Sequence, residues 1–111
     1  MEIKQFEIWL ADLNPSVGTE AGKTRPVVII QTDLLNDIHQ FTLICPITTN
    51  VKKEIRLLRV HLKRGALDKE SDVLVDQIRA IDNRRLINKL GKLKKDQAIS
   101  LKENIKIVLD L

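Results

Sequence analysis

Apolar and polar side chains alternate from the start of the chain. Phe6, Ile8 and Leu10 interleave with Glu7, Trp9 and Ala11, and a period of two over six residues predicts a first strand. Asn14-Pro15-Ser16 breaks it. Val27, Val28, Ile29 and Ile30 form an unbroken apolar run, so a second strand is expected to continue through Gln31. Thr32 and Asp33 stand where they can cap a short helical turn over residues 34–37. Residues 41–48 predict a third strand. Pro46 within it predicts an edge or a bulge, because proline has no N–H to give the ladder. A fourth strand is expected over 54–62, with Leu58, Val60 and Leu62 on one face and Arg59 and His61 on the other. A turn at 63–65 and a polar loop over 67–72 follow. Residues 73–81 then read as a fifth strand with almost no polar side. Arg84-Arg85-Leu86 suits a short helical turn, and residues 88–93 a sixth strand, weakened by Gly91.

The period changes at the C-terminal end. Ala98, Leu101, Ile105, Val108 and Leu109 recur at helical spacing, with Lys102, Glu103 and Lys106 turned outward and Asp96 as N-cap. Five or six short strands and one terminal helix predict a mainly β fold, a small antiparallel sheet closed or nearly closed as a barrel. With 111 residues, no repeats and no Gly/Ser linker, one domain over residues 1–111 is expected.

Composition narrows the classes. Met1 to Lys4 lacks a basic start followed by an apolar block, and no apolar run approaches a membrane span, so a soluble cytoplasmic protein is expected. Cys45 stands alone between Ile44 and Pro46, which excludes an intrachain disulfide and suits a small core residue. Phe6, Trp9 and Phe41 are the only aromatic rings of the Phe, Trp and Tyr type, too few for a multi-ring stacking platform. Residues 1–50 hold three Lys/Arg against six Asp/Glu, a balance of −3, whereas residues 51–111 carry +7. A basic half suits a polyanionic partner or an ordinary solvated surface. His39 and His61 lack supporting cysteine or carboxylate spacing, so no metal or cofactor is expected.

Candidate chemistry gathers at Gly18-Thr19-Glu20-Ala21-Gly22-Lys23-Thr24-Arg25-Pro26. Two glycines loosen the loop, and Pro26 forces Arg25 into an extended geometry at the mouth of the second strand. Gly22-Lys23 leads into a strand rather than a helix, which argues against a Walker-type nucleotide loop. Arg25 offers a fixed fork of donors matched to phosphate oxygens. Its alternative role is a structural ion pair with Glu20. Thr48 and Thr49 project to opposite faces, so only one of them can serve a given site. Asp76 and Gln77 interrupt the fifth strand; a carboxylate on the face of Leu74, Ile78 and Ala80 costs stability unless hydrogen-bonded, which fits either a functional site or a hydrogen bond to a nearby loop. Lys52, Lys53, Arg79, Arg84 and Arg85 suit phosphate contacts or a solvated face equally well.

The Gly18–Pro26 loop resembles the signature loop of the MazF/PemK (Kid-like) toxin family. Glu7 to Pro15, Pro46-Ile47-Thr48-Thr49 and Val73 to Asp82 resemble further family segments in the same order, so the likeness spans nearly the whole chain. It departs at Lys4-Gln5-Phe6, where many members have a basic-Gly-Asp turn, and the 50–72 segment varies among members. The resemblance implies an SH3-like barrel of the CcdB/MazF type with a C-terminal helix, forming a homodimer. It implies a metal-independent, sequence-specific endoribonuclease that cuts single-stranded RNA and leaves a 2′,3′-cyclic phosphate and a 5′-hydroxyl. It further implies an acidic MazE-like antitoxin that binds across the same groove. On that reading Arg25, Thr48 and Glu20 are catalytic. Gly18, Thr19, Lys23, Thr49, Asp76, Gln77 and Arg79 bind RNA or brace the site. Arg25 would stabilise charge on the phosphate and Glu20 would accept a proton or orient Arg25, with the general base left open. The rival readings are a non-catalytic gyrase poison of the CcdB type and an RNA-binding barrel without activity.

Overall fold

The computed structural model of the protein describes residues 2–111. Seven strands precede one helix: β1 Glu7–Asp12, β2 Thr24–Ile29, β3 Phe41–Thr48, β4 Arg59–Leu62, β5 Ser71–Leu74, β6 Arg79–Asp82, β7 Leu86–Lys92 and α1 Lys95–Leu109. A single 3-10 turn, Asn83–Arg85, joins β6 to β7. Every ladder is antiparallel, in the order β4-β5-β3-β2-β1-β7, with β6 also paired to β3. The mainly β fold with a C-terminal helix is as expected. The barrel is not closed, because among the described residues no ladder joins the β4 and β7 edges.

The central strands bury both faces. Trp9, Ala11, Val27, Ile29, Ile44 and Leu74 pack on one side of the sheet. Ile8, Val28, Cys45, Ile47, Val60 and Val73 pack on the other, beneath Leu101 of α1. A strand covered on both sides has no polar positions to alternate, which is why Val27 to Ile30 read as a solid apolar block. Glu7 is buried within β1, and Trp9 Nε1 (3.1 Å), Lys4 N–H (2.8 Å) and Lys89 Nζ (2.7 Å) donate to its carboxylate.

Four expectations are revised. Pro46 lies in a central strand, not at an edge. On one side it pairs with Val27; on the other it falls in the gap where β3 changes partner from β6, which ends at Ile44↔Arg79, to β5, which begins at Ile47↔Val73. The expected strand over 73–81 is therefore two strands. Five residues lie between the paired Val73 and Arg79 but only two between Ile47 and Ile44, so the 75–78 connection is looped, with Val75 still in the core and Asp76 and Gln77 beyond it. Asp76 is exposed there, and the burial cost inferred from the strand pattern does not arise. The fourth strand begins at Arg59 rather than 54. Ile55 N–H turns back to Lys52 O (3.1 Å), and Asn104 of α1 donates from Nδ2 to Arg56 O (3.0 Å). At α1 the N-cap is Lys94, whose N–H donates to Gln97 Oε1 (2.8 Å). Asp96 instead sits in the first turn, where its charge complements the helix dipole. Leu101 is fully buried, and Ala98, Ile105 and Val108 flank it, while Leu109 lies on the open side.

Candidate active site

Two strands and one loop assemble the site. The β2–β3 ladder holds one register from Ile29↔Ile44 to Val27↔Pro46. Continued two residues further, that register sets Arg25 opposite Thr48, with both side chains on the face that carries Val27 and Ile44. Both line one open cleft of about 280 Å³, together with Lys23, Thr24 and Thr49.

The loop between β1 and β2 fixes the arginine. Arg25 Nε donates to Gly22 O (2.8 Å), which orients the guanidinium and leaves its terminal nitrogens unpaired with any carboxylate among the described residues. The expected alternative, an Arg25–Glu20 ion pair, is absent. Glu20 instead accepts the Val17 N–H (2.9 Å) and closes its own turn. Lys23 adopts a left-handed backbone, φ +64°, a conformation that costs a non-glycine residue on the order of 1 kcal/mol or more. Two hydrogen bonds hold it: Lys23 N–H to Asn14 Oδ1 (2.8 Å) and Leu13 N–H to Lys23 O (2.9 Å). Gly22 passes so close to Ser16 that an added Cβ would stand 2.4 Å from its Oγ and 2.8 Å from its Cβ. Gly18 has φ +58°, and Gly18 and Thr19 are exposed at the tip, outside the clefts that hold Arg25 and Gln77.

Thr48 is half-buried at the end of β3. Its Oγ1 accepts the Asn50 N–H (3.1 Å), so the hydroxyl proton is left to donate into the cleft. Thr49 is exposed at the rim.

The remaining candidates form a neighbouring cleft of about 260 Å³, where Glu20 and Ala21 meet Asp76, Gln77, Ile78 and Arg79. Gln77 Oε1 accepts the Ala21 N–H (2.9 Å), tying the β5–β6 loop to the Arg25 loop, one of the two roles that the sequence left open for it. Arg79 reaches Leu13 O (3.4 Å). Arg85 Nη1 bonds Asp12 O (3.1 Å) and also Asn14 O, so it braces the exit of β1. Sequence reasoning passes over Asn14 and Ser16, whose partners lie nine and six residues away across a loop of unreadable path. The Cys45 thiol is fully buried, and burial, with Asp76 nearby, pushes it up to about 12, so it stays protonated. Among the described residues no helix is long and apolar enough to cross a membrane.

The sequence and the fold find counterparts in known proteins. Residues 4–109 match the family described as PemK-like, MazF-like toxin of type II toxin-antitoxin system. The chain belongs to that family. Among MazF-like relatives, Endoribonuclease EndoA of Bacillus subtilis (strain 168) is 34% identical over 113 residues, covering 100% of this chain and 97% of that protein. Endoribonuclease MazF of Staphylococcus epidermidis is 37% identical over 111 residues, covering 98% and 92%. The fold matches that in a MazE-MazF crystal structure from Deinococcus radiodurans with a TM-score of 0.81, at 19% identity, covering 100% of this chain and 99% of that one. A MazF-like full-length match disfavours the gyrase-poison and inactive-barrel readings.

Proposed function

We propose that this chain is the toxin of a type II toxin–antitoxin system, a sequence-specific, metal-independent endoribonuclease for single-stranded messenger RNA. The observation that carries the reading is the juxtaposition of Arg25 and Thr48 in one cleft, with a guanidinium free of carboxylates and a hydroxyl free to donate. Two relatives named as endoribonucleases, matched over nearly their whole length, support it.

In the reaction a ribose 2′-hydroxyl loses its proton and its oxygen attacks the adjacent phosphorus, the bond from phosphorus to the 5′-oxygen breaks, and the 5′-oxygen takes up a proton from solvent, so the ends are a 2′,3′-cyclic phosphate and a 5′-hydroxyl. Charge gathers on the two non-bridging oxygens as attack proceeds. Arg25 donates to one of them from its terminal nitrogens, and Thr48 Oγ–H to the other. A donor already oriented by Gly22 O needs no reorganisation when charge develops. Arginine does not release its proton readily. Of the two roles considered for Glu20, orienting Arg25 belongs to Gly22; Glu20 lies in the neighbouring cleft and accepts the Val17 N–H, so the group that takes the 2′-hydroxyl proton is left open. Gly18, Thr19, Lys23, Thr49 and Arg79 are assigned to the RNA strand, and Asp76 and Gln77 to the loop that borders it.

The toxin domain spans residues 1–111, works as a cytoplasmic homodimer and is restrained by a MazE-like antitoxin. A structural neighbour crystallised as MazE-MazF supports that partner. Purified protein with excess chelator should cut a long transcript at one short sequence. Arg25→Ala should lower the cleavage rate on the order of a hundredfold or more, the scale of a lost transition-state donor. Undiminished cutting by that variant refutes the site, and loss of cutting on chelation refutes the metal-free reaction.

A further inference from the structure

One carboxylate outside the Arg25 loop is buried to the depth of the core. Asp72, on β5, has a relative exposure of 1%. Its Oδ1 faces His61 Nδ1 (3.1 Å), and its Oδ2 accepts both the Lys52 N–H (2.9 Å) and Arg59 Nη1 (3.1 Å). A buried charge of this kind persists only when its acceptor sites are filled.

The sheet register places it beside the site. Asp72 pairs with Thr48 on one flank, in the β3–β5 ladder, and with His61 on the other, in the β4–β5 ladder. Residues directly opposite across a ladder share a face, so Thr48, Asp72 and His61 form one row across three strands, with Arg25 at its head by the continued β2–β3 register. Hydrogen bonds run along the same row. The Arg59 nitrogen that holds Asp72 also donates to Asn50 O (2.7 Å), and Asn50 N–H donates to Thr48 Oγ1 (3.1 Å). Asp72 takes the Lys52 N–H directly. The turn that leaves β3 after Thr48 is thus gripped at both ends from one buried carboxylate. Resting on the assignment of Thr48 to catalysis, we infer that Asp72, with Arg59 as its relay, is a positioning residue: it holds the 48–52 turn so that the Thr48 hydroxyl points at the scissile phosphate.

A double-mutant cycle tests this, with cleavage of a fluorescent oligonucleotide as the assay and thermal unfolding followed alongside. Asp72→Asn presents an amide where a carboxylate oxygen received donors. It should lower kcat roughly tenfold and leave KM for RNA within about twofold, the signature of an interaction used only in the transition state. In a Thr48→Ala background the same substitution should cost less than about twofold, since the hydroxyl it positions is gone. Arg59→Lys keeps a cation for Asp72, yet one ammonium cannot also bridge to Asn50 O, so it should reproduce the kcat loss. It serves as the probe if Asp72→Asn does not fold. Equal losses in the parent and Thr48→Ala backgrounds overturn the inference and mark Asp72 as a fold residue alone. A Thr48→Ala variant as fast as the parent overturns the assignment of Thr48 itself. A rise in KM with unchanged kcat makes the turn a binding element and also overturns the inference.

Discussion

Replacing Gly22 with alanine should disarm the enzyme without touching a catalytic group. The backbone at Gly22 is not left-handed, so alanine meets no conformational penalty of its own. It meets Ser16. The new Cβ would lie 2.4 Å from Ser16 Oγ and 2.8 Å from Ser16 Cβ, against an ordinary carbon–carbon separation of about 3.5–4.0 Å. The hydroxyl can rotate away, but the Ser16 Cβ cannot, so the backbone must open by about 0.7 Å or more. Gly22 O is the acceptor that orients Arg25 Nε, and the shift passes directly to the guanidinium. A misplacement near 1 Å costs on the order of a hundredfold in rate, and a few tenths about tenfold. We therefore expect Gly22→Ala to lose between about tenfold and a hundredfold in kcat. The stability cost should stay at about 1–3 kcal/mol, typical of overpacking. The assay is single-turnover cleavage of a labelled oligonucleotide. Ser16→Gly removes both clashing atoms, so Ser16→Gly with Gly22→Ala should recover most of the rate. Parent-like cleavage by Gly22→Ala, or no recovery in the pair, refutes the coupling of this close approach to the arginine.

Acid should loosen the fold through Asp72 and Glu7. Burial alone would raise both carboxyls. The Lys52 N–H, His61 and Arg59 outweigh it at Asp72, and Lys89, Trp9 and the Lys4 N–H outweigh it at Glu7, so both are held below their ordinary values of 3.8 and 4.5. A depressed folded-state pKa gives stability that is present in full above the unfolded value and lost as pH falls through the folded one. Urea midpoints should therefore fall below about pH 4, and Asp72→Asn should flatten that fall; an unchanged slope refutes the account. A second expectation concerns the cleft of about 490 Å³ between β4 and α1, lined by Lys52, Lys53, Arg56, Arg59 and His61. Lys53 is near Glu70 and Arg59 is paired with Asp72, but Lys52 and Arg56 have no carboxylate partner among the described residues. If an RNA strand continues from Thr49 into this cleft, Lys52→Ala with Arg56→Ala should reduce the slope of log affinity against log salt by roughly 0.7 for each phosphate no longer neutralised, measured with an uncleavable oligonucleotide; an unaltered slope excludes that path.

Much of this architecture is legible in the sequence because periodicity reports burial. The solid run of β2 and the helical spacing of Leu101 and Ile105 each reflect which side meets the core, whereas the alternation in β1 marks a strand without marking its side, since Glu7, Trp9 and Ala11 are buried opposite Ile8. Breaks are harder to read. Nothing in Val73 to Ile81 says that β3 hands over from one partner to another opposite Pro46, because that exchange is set by the strand across the sheet. By sequence Asp72 is the end of a polar loop; its burial depends on Arg59 and His61, brought to it by a register that composition cannot specify. The same holds for the site. Arg25 and Thr48 stand out by residue type and by family likeness, and their meeting follows from the β2–β3 register. The partners that aim them, Gly22 O and Asn50 N–H, are backbone atoms and leave no trace in side-chain identity.

The handover of β3 between β6 and β5 divides labour within the molecule. Arg25 and Thr48 rise from the strands that border the packed interior, whereas the stretches that would touch successive nucleotides hang from connections: the tip near Gly18, the outward loop with Asp76 and Gln77, and the span from Asn50 to Leu58. On the proposed function, changes at the Gly18 tip or beyond Lys52 would alter which nucleotides are met, whereas the 48–52 turn must keep its hold on Asp72 and Arg59 for Thr48 to stay aimed.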